Sequence, residues 1–304
     1  MPTLKQLRYL EALARHGHFG RAAADCSVTQ PALSMQIREL EAELGAILIE
    51  RLPGGARLTG VGAEVAARGT RLLRDVRDLA DVARGAAGAL GGNLALGVIP
   101  SVAPYLLPPL LPLVREAHPD LQLRIRESQT LSIVSELLDG TLDLLLLALP
   151  IDYREIETVT LFEDPFVLAV PNGFEVGRHV RVTPDLIGKE RVLLLEEGHC
   201  FREQALAFCQ LRKVGNIDTY GASTLATVVQ MVAGGMGVTL LPRLAVPVEG
   251  RNPGISLHDF QPPAPSRQIG LAWRRTSPRK AQFEAMGALI SRANEGLLNA
   301  PEER

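Results

Sequence analysis

Thr29-Gln30-Pro31, directly behind Ser27-Val28, dictates where the N-terminal helices stop and restart. Thr29 carries the short hydroxyl side chain of a helix N-cap, and Pro31 falls in a first turn, where its missing N–H removes no hydrogen bond. Upstream, Leu4, Leu7, Leu10, Leu13 and Ala14 recur at helical spacing until His16-Gly17-His18-Phe19-Gly20 interrupts them, and a short alanine-rich helix spans Phe19 to Asp25. Downstream, Leu33, Ile37, Leu40 and Leu44 form an inward stripe ended by Gly45, while Gln30, Ser34 and Arg38 repeat on a polar face that the fold does not need. The pattern is helix, tight turn, helix. Ile47–Arg51 and Arg57–Thr59 then flank Pro53-Gly54-Gly55, which predicts a β-hairpin with a basic tip, a wing.

A long helical pattern runs from about Gly60 to Arg84 with Val65, Gly69, Leu72, Val76, Leu79 and Ala83 at alternating spacings of four and three. Such a seam suits a partner helix in a dimer, although a helix lying on its own domain would show a similar stripe. The Ala/Gly-rich segment Gly85–Gly92 reads as a hinge. Beyond it strands and helices alternate: strand Asn93–Ile99, helix Pro104–Ala117, strand Leu121–Glu127, helix Thr130–Asp139 and the apolar strand Leu142–Leu149. A second set has strands near Thr158–Phe162, Phe166–Val170 and Val192–Glu196, helix Thr224–Ala233, strands Val238–Leu241 and Ile269–Trp273, and a final helix from Pro278 to Leu298. Alternation with short apolar strands predicts a parallel α/β sheet. The expected organisation is a winged helix-turn-helix domain at 1–59, a dimerisation helix and hinge at 60–92, and a regulatory domain at 93–304. The last divides into two α/β lobes, about 93–163 with 268–304, and about 164–267, with a cleft between them.

The 304 residues are 46% hydrophobic and 22% charged, an ordinary globular balance. No apolar run reaches the roughly 18 residues that a membrane span requires, and Met1–Arg15 lacks a signal pattern, so a cytoplasmic protein with no membrane partner is expected. Net charge is −2, so any DNA-binding surface must be local. His16, His18, His118, His179 and His258 lack metal-ligand spacing, His199 has no further ligands nearby, and Gly234-Gly235-Met236-Gly237 reads as a helix-to-strand turn rather than a phosphate loop; neither metal nor cofactor is expected.

Two of the three cysteines, Cys200 and Cys209, stand nine residues apart in what reads as the start of an amphipathic helix. Free cysteine is usually a small buried hydrophobe, and the pair alone permits that reading. In a continuous helix the two Cα atoms would be roughly 13 Å apart on opposite faces, whereas a disulfide needs them within about 7 Å. Were the thiols to bond, the segment could not remain a helix. A helix start at Gly198-His199 and the nearby Arg202 would both favour a thiolate at Cys200. Cys26, in an alanine-rich helical stretch, reads as packing.

Taken together, Ala22-Ala23-Ala24, Thr29-Gln30-Pro31-Ala32-Leu33-Ser34, Ile37-Arg38-Glu39-Leu40-Glu41, Leu44-Gly45, Arg51 and Leu58-Thr59 with Gly62 resemble the N-terminal domain of the LysR-type transcriptional regulators. The two-lobe remainder resembles that family's periplasmic-binding-protein-like regulatory domain. Within the family, Gly198-His199-Cys200 with Cys209, Pro104-Tyr105-Leu106-Leu107-Pro108, Gln129-Thr130 and Leu240-Leu241-Pro242 are similar to its hydrogen peroxide sensors. The resemblance implies that Cys200 is the peroxidatic thiolate and Cys209 the resolving thiol, joined in a reversible disulfide. It implies that Ser101 and Thr130 hydrogen-bond the peroxide, that His199 organises the pocket, and that Arg267 supplies positive charge. Ser101 stands where the family usually has threonine, and Tyr220 where a histidine is often found. On their own terms Thr130 is also a plausible helix N-cap, Ser101 a turn residue and Arg267 a solvated strand-edge charge.

The implied function is a DNA-binding activator or repressor of antioxidant genes, not an enzyme, that responds to oxidative stress. Thr29, Gln30, Pro31, Ser34 and Arg38 would meet the major groove and Arg51 and Arg57 the phosphate backbone of a pseudo-palindromic double-stranded operator. The implied partners are hydrogen peroxide, further copies in a homodimer or homotetramer, a thioredoxin- or glutaredoxin-type reductant, and RNA polymerase. Two other readings remain open from the residues: a regulator of the same fold binding a small organic effector in the cleft, and a thiol peroxidase, against which the DNA-reading helices argue.

Overall fold

The computed structural model describes residues 1–85, 90–174, 181–182, 190–198, 200–211 and 222–298, with backbone alone at 77, 78, 80–85, 200, 207–211 and 298. The chain divides into two compact units, Met1–Ala87 and Gly88–Arg304.

In the first unit, helices α1 (Leu4–His16), α2 (Phe19–Asp25) and α3 (Gln30–Leu44) precede strands β1 (Ile49–Leu52) and β2 (Gly55–Leu58) and the long helix α4 (Gly60–Gly85). Local chemistry sets each boundary. Thr3 and Gln6 form a reciprocal capping box on α1, and Gly17 ends that helix in the left-handed conformation. His18 caps α2 by accepting from the N–H groups of Gly20 and Arg21, and Thr29 caps α3 by accepting from Ala32. Leu10, Leu13, Leu33, Ile37, Leu40 and Leu48 close the core. Three expected inward positions are corrected: Leu4 is 46% and Leu44 40% exposed, and Ala14 is exposed as well, because Tyr9 and Ala12 take the inner face of α1 and Leu48 closes the end of α3. The hairpin is anchored by Ala56 N–H donating to Gly17 O at 2.8 Å and by Glu41, whose Oε1 accepts from Leu48 and Ile49.

The expected seam of α4 splits in two. Gly62, Ala66, Gly69 and Leu73 are buried; a Cβ on Gly62 would stand 2.0 Å from Leu48 O, and one on Gly69 3.2 Å from Leu7. That stripe serves its own unit. Leu72, Val76 and Leu79 are 53%, 45% and 74% exposed.

The second unit holds a seven-stranded sheet ordered β4-β3-β5-β9-β6-β7, with β8 also paired to β6. Its elements are β3 (Gly92–Val98), α5 (Ala103–Ala117), β4 (Leu121–Glu127), α6 (Thr130–Leu138), β5 (Leu144–Leu149), β6 (Ile156–Pro171), α7 (Cys200–Leu211), α8 (Leu225–Ala233), β7 (Thr239–Pro242), the 3-10 turn Arg243–Ala245, α9 (Val246–Glu249), β8 (Ile255–Asp259), β9 (Ser266–Arg274) and α10 (Lys280–Leu298). The sheet is mixed, which corrects the parallel expectation: β3 pairs parallel with β4 and β5, but β9 runs antiparallel to both β5 and β6. A strand buried on both faces reads as an apolar run whichever way it points.

A second correction concerns β6, one 16-residue strand where two were expected. Ile156–Pro165 pairs with β9, and Phe166–Pro171 pairs with β7 and β8, with an irregularity between Thr160 and Phe162. The charged pair Glu163-Asp164 before Pro165 mimics a loop but lies within the strand. Val192–Glu196 forms isolated bridges rather than a strand, although Val192–Leu195 is fully buried. No helix among the described residues is long and apolar enough to cross a membrane.

Candidate functional site

The cysteine segment forms α7, a single helix with residue 200 in its first turn and residue 209 in its last. At about 1.5 Å per residue the two Cα atoms are roughly 13 Å apart, beyond the reach of a disulfide. An intact α7 is therefore incompatible with a Cys200–Cys209 disulfide. His199 and Tyr220 lie outside the described residues.

Three chain segments meet at the start of α7. The first is the turn before it: Gly198 has φ +92°, and a Cβ there would lie 2.4 Å from Gln129 Oε1, so glycine lets the chain pass close to the end of α6. Gln129 Nε2 donates to Glu197 O at 3.4 Å, tying the two turns together. The second is α6 itself. Its N-cap is Gln129, not Thr130, which corrects the capping alternative; Thr130 opens the helix, and its Oγ1 is buried with no hydrogen-bond partner among the described residues. A buried hydroxyl that no described residue satisfies calls for an explanation, and a small polar ligand would supply one.

The third is the junction of β6 with β9. Arg267 is not a solvated strand-edge charge: its side chain is fully buried. Its Nε donates to Asp164 Oδ2 at 2.9 Å, its Nη1 to Ser101 Oγ at 2.7 Å and its Nη2 to Ser101 O at 3.0 Å. The guanidinium lies 5.4 Å over the ring of Phe201, the residue after Cys200, and Phe201 in turn packs edge-on against Phe166. Arg267 and Ser101 thus come together one residue from Cys200, with Thr130 across the Gln129–Glu197 contact. Arg202, expected to favour a thiolate, is buried and donates to Leu195 O at 3.0 Å.

Sequence reasoning missed Asp164 and Phe201, gave Gln129 no role beyond the resemblance, and missed the contact of Tyr105 Oη with Glu249 Oε1 at 2.9 Å, which joins α5 to α9. Burial, then the Glu249 charge, push the Tyr105 hydroxyl well above the ordinary tyrosine range, so it remains a donor. Asp164 left one legible signal, an acidic pair with Glu163 set between two apolar runs.

In the first unit, Thr29, Gln30, Pro31 and Arg38 are exposed on α3 with Ser34 half-buried beside them. Arg51 Nη1 donates to Ser34 Oγ at 3.1 Å, and its guanidinium lies 4.8 Å over the Phe19 ring, so the wing buttresses the polar face of α3. Arg57 is exposed on the hairpin opposite Glu50. An exposed helix carrying Gln, Ser and Arg next to a basic hairpin fits the width of a DNA major groove.

Comparison with known proteins places both units. Residues 4–63 match the bacterial regulatory helix-turn-helix protein family of lysR type, and residues 87–294 match the LysR substrate binding domain. The chain belongs to the LysR-type transcriptional regulators. Among curated relatives, the "Probable hydrogen peroxide-inducible genes activator" of Streptomyces viridosporus is 42% identical over 298 residues, 97% of this chain and 96% of that one. The "DNA-binding transcriptional dual regulator OxyR" of Escherichia coli K12 is 38% identical over 295 residues, 97% and 96% of the two chains. Among solved structures, a full-length OxyR variant from Pseudomonas aeruginosa aligns with TM-score 0.77 at 34% identity, covering 96% of this chain and 98% of that one. A hydrogen peroxide-bound OxyR variant from Corynebacterium glutamicum aligns with TM-score 0.69 at 33% identity, covering 97% and 93%. The family is one of regulators rather than enzymes, which removes the thiol peroxidase reading.

Proposed function

We propose that this LysR-type regulator senses hydrogen peroxide through Cys200 and Cys209 and transmits the signal to double-stranded DNA. The observation that carries the reading is the convergence of Ser101, Arg267 and a buried Thr130 hydroxyl, without a partner among the described residues, on the N-terminus of the helix that holds both cysteines. In this reading the Cys200 thiolate attacks one peroxide oxygen; the S–O bond forms, the O–O bond breaks, and the other oxygen leaves as hydroxide. Cys209 then attacks the sulfenic sulfur, water departs, and a disulfide remains. Ser101, Thr130 and His199 bind the peroxide, and Arg267 offsets the negative charge that develops.

Closing the disulfide requires α7 to unwind, because roughly 13 Å must become less than about 7 Å. That rearrangement couples chemistry to conformation. A cytoplasmic dithiol reductant of the thioredoxin or glutaredoxin type would reset the pair by exchange. The proposed assembly is a homodimer or homotetramer, with Thr29, Gln30, Pro31, Ser34 and Arg38 reading a pseudo-palindromic operator, Arg51 and Arg57 against phosphates, and RNA polymerase as the effector.

The test is free-thiol counting with peptide mapping on the reduced full-length protein before and after stoichiometric hydrogen peroxide, followed by DNA footprinting of both forms. The expected product is a Cys200–Cys209 disulfide with Cys26 untouched, since burial raises the Cys26 thiol above its ordinary range. Free thiols at both positions after treatment would sink the proposal and redirect attention to an organic ligand. Cys200→Ser should abolish the response and preserve DNA binding.

A further inference from the structure

Asp164 and Arg267 are direct cross-strand partners in the antiparallel register of β6 and β9, and their side chains are 2% and 0% exposed. Both carboxylate oxygens of Asp164 are used: Oδ2 accepts from Arg267 Nε at 2.9 Å, and Oδ1 accepts from Leu244 N–H at 2.9 Å in the 3-10 turn. The carboxylate therefore grips one edge of the guanidinium and is itself held by the backbone. The opposite edge is left to Ser101, with Nη1 on Oγ and Nη2 on the carbonyl. A planar fork held on one side in this way has no freedom to swing on the Phe201 face.

The consequence falls on Ser101. Its hydroxyl has one hydrogen, and an Arg267 N–H already occupies a lone pair of the oxygen, so that hydrogen is directed elsewhere. Among the described residues no acceptor takes it, although Ser101 is only 3% exposed. We infer that Asp164 is a positioning residue for the peroxide reaction: by fixing Arg267 it commits the Ser101 hydroxyl to act as a hydrogen-bond donor into the site. The inference rests on the proposed peroxide reading. As the Cys200 thiolate forms its bond to the near oxygen, the O–O electron pair passes to the far oxygen, and a preset donor stabilises the departing hydroxide. Water or a mobile side chain would first have to reorient.

The experiment uses full-length reduced protein carrying Asp164→Asn, Ser101→Ala or both. The rates of Cys200 oxidation by hydrogen peroxide and of Cys200 alkylation by iodoacetamide are measured on the plateau of each pH profile, where a shifted thiol pKa no longer matters. Each single variant should slow oxidation by about tenfold or more while alkylation is retained, and the double variant should be no slower than Ser101→Ala alone. Asp164→Glu should restore part of the loss. Arg267→Lys, which keeps the charge but lacks the second edge, gives the same test if Asp164→Asn fails to fold: its loss should also vanish in the Ser101→Ala background. Multiplying losses, or oxidation and alkylation falling together, would make Asp164 merely structural and overturn the inference. Wild-type protein that forms no Cys200–Cys209 disulfide would instead overturn the peroxide reading, and the inference with it.

Discussion

Gly198 and Gln129 meet so closely that a Cβ on Gly198 would stand 2.4 Å from Gln129 Oε1, on backbone with φ +92°. The turn before α7 and the start of α6 are therefore fitted to one another through a missing side chain. Gly198→Ala should lower stability by about 1–2 kcal/mol, through left-handed backbone strain plus displacement of the Gln129 carboxamide from Glu197 O. The urea midpoint measures this. Because Gln129 is flexible, most of the loss should persist in Gly198→Ala/Gln129→Ala; full recovery in the double variant would show that the clash, not the φ value, dominates.

Tyr105 and Glu249 join α5 to α9 by one hydrogen bond across 144 residues of sequence. The folded state holds the Tyr105 hydroxyl above its ordinary range, by burial first and Glu249 second. Its contribution to stability is complete below the unfolded value near pH 10 and is lost as pH rises beyond that point, where the unfolded chain releases the proton and the folded chain does not. Tyr105→Phe should cost about 1–2 kcal/mol at neutral pH. Chemical denaturation between pH 7 and 11 should show a smaller alkaline loss in the variant than in the wild type.

The proposed DNA face would make two classes of contact. Gln30→Ala should relax discrimination at one base pair by about 1–3 kcal/mol, whereas Arg57→Ala should weaken binding to all sequences alike and reduce the salt slope by about one. Arg51→Ala should cost more than Arg57→Ala, because its guanidinium also holds Ser34 and covers Phe19. Binding titrations on specific and scrambled duplexes at several salt concentrations distinguish these outcomes.

Leu72 and Leu79 are exposed on α4, whereas Leu73, between them in sequence, is buried. Leu79→Asp should leave the thermal stability of the first unit nearly unchanged and shift the sedimentation profile toward monomer. Leu73→Asp should instead lower stability by several kcal/mol through an unpaired buried charge. A Leu79→Asp variant that sediments as the wild type does would exclude this stripe as a dimer seam.

Features set by near neighbours in the chain were legible in the sequence. Thr29, Pro31 and Gly45 bound α3 as read, α2 spans Phe19–Asp25, about where the pattern placed it, and Leu121–Glu127 is β4 to the residue. Caps, turns and the 3.6-residue stripe act within a few positions, so local chemistry alone determines them. The exposure of Leu4 and Leu44 was not legible, because each lies at a helix end where the pattern continues but the opposing surface does not.

Sequence by itself determined the helix-turn-helix, its wing and the conflict between an intact α7 and a Cys200–Cys209 bond. Tertiary structure alone decided that β9 returns antiparallel between β5 and β6, that β6 runs unbroken through Asp164-Pro165, and that Arg267 is buried against Asp164 and Ser101. Arg267 is 103 residues from Asp164 and 166 from Ser101 in the chain. A charge at a strand end looks the same in sequence whether water or a carboxylate satisfies it. Only the register of the assembled sheet, set by the burial of its apolar faces, brings those partners within hydrogen-bonding distance.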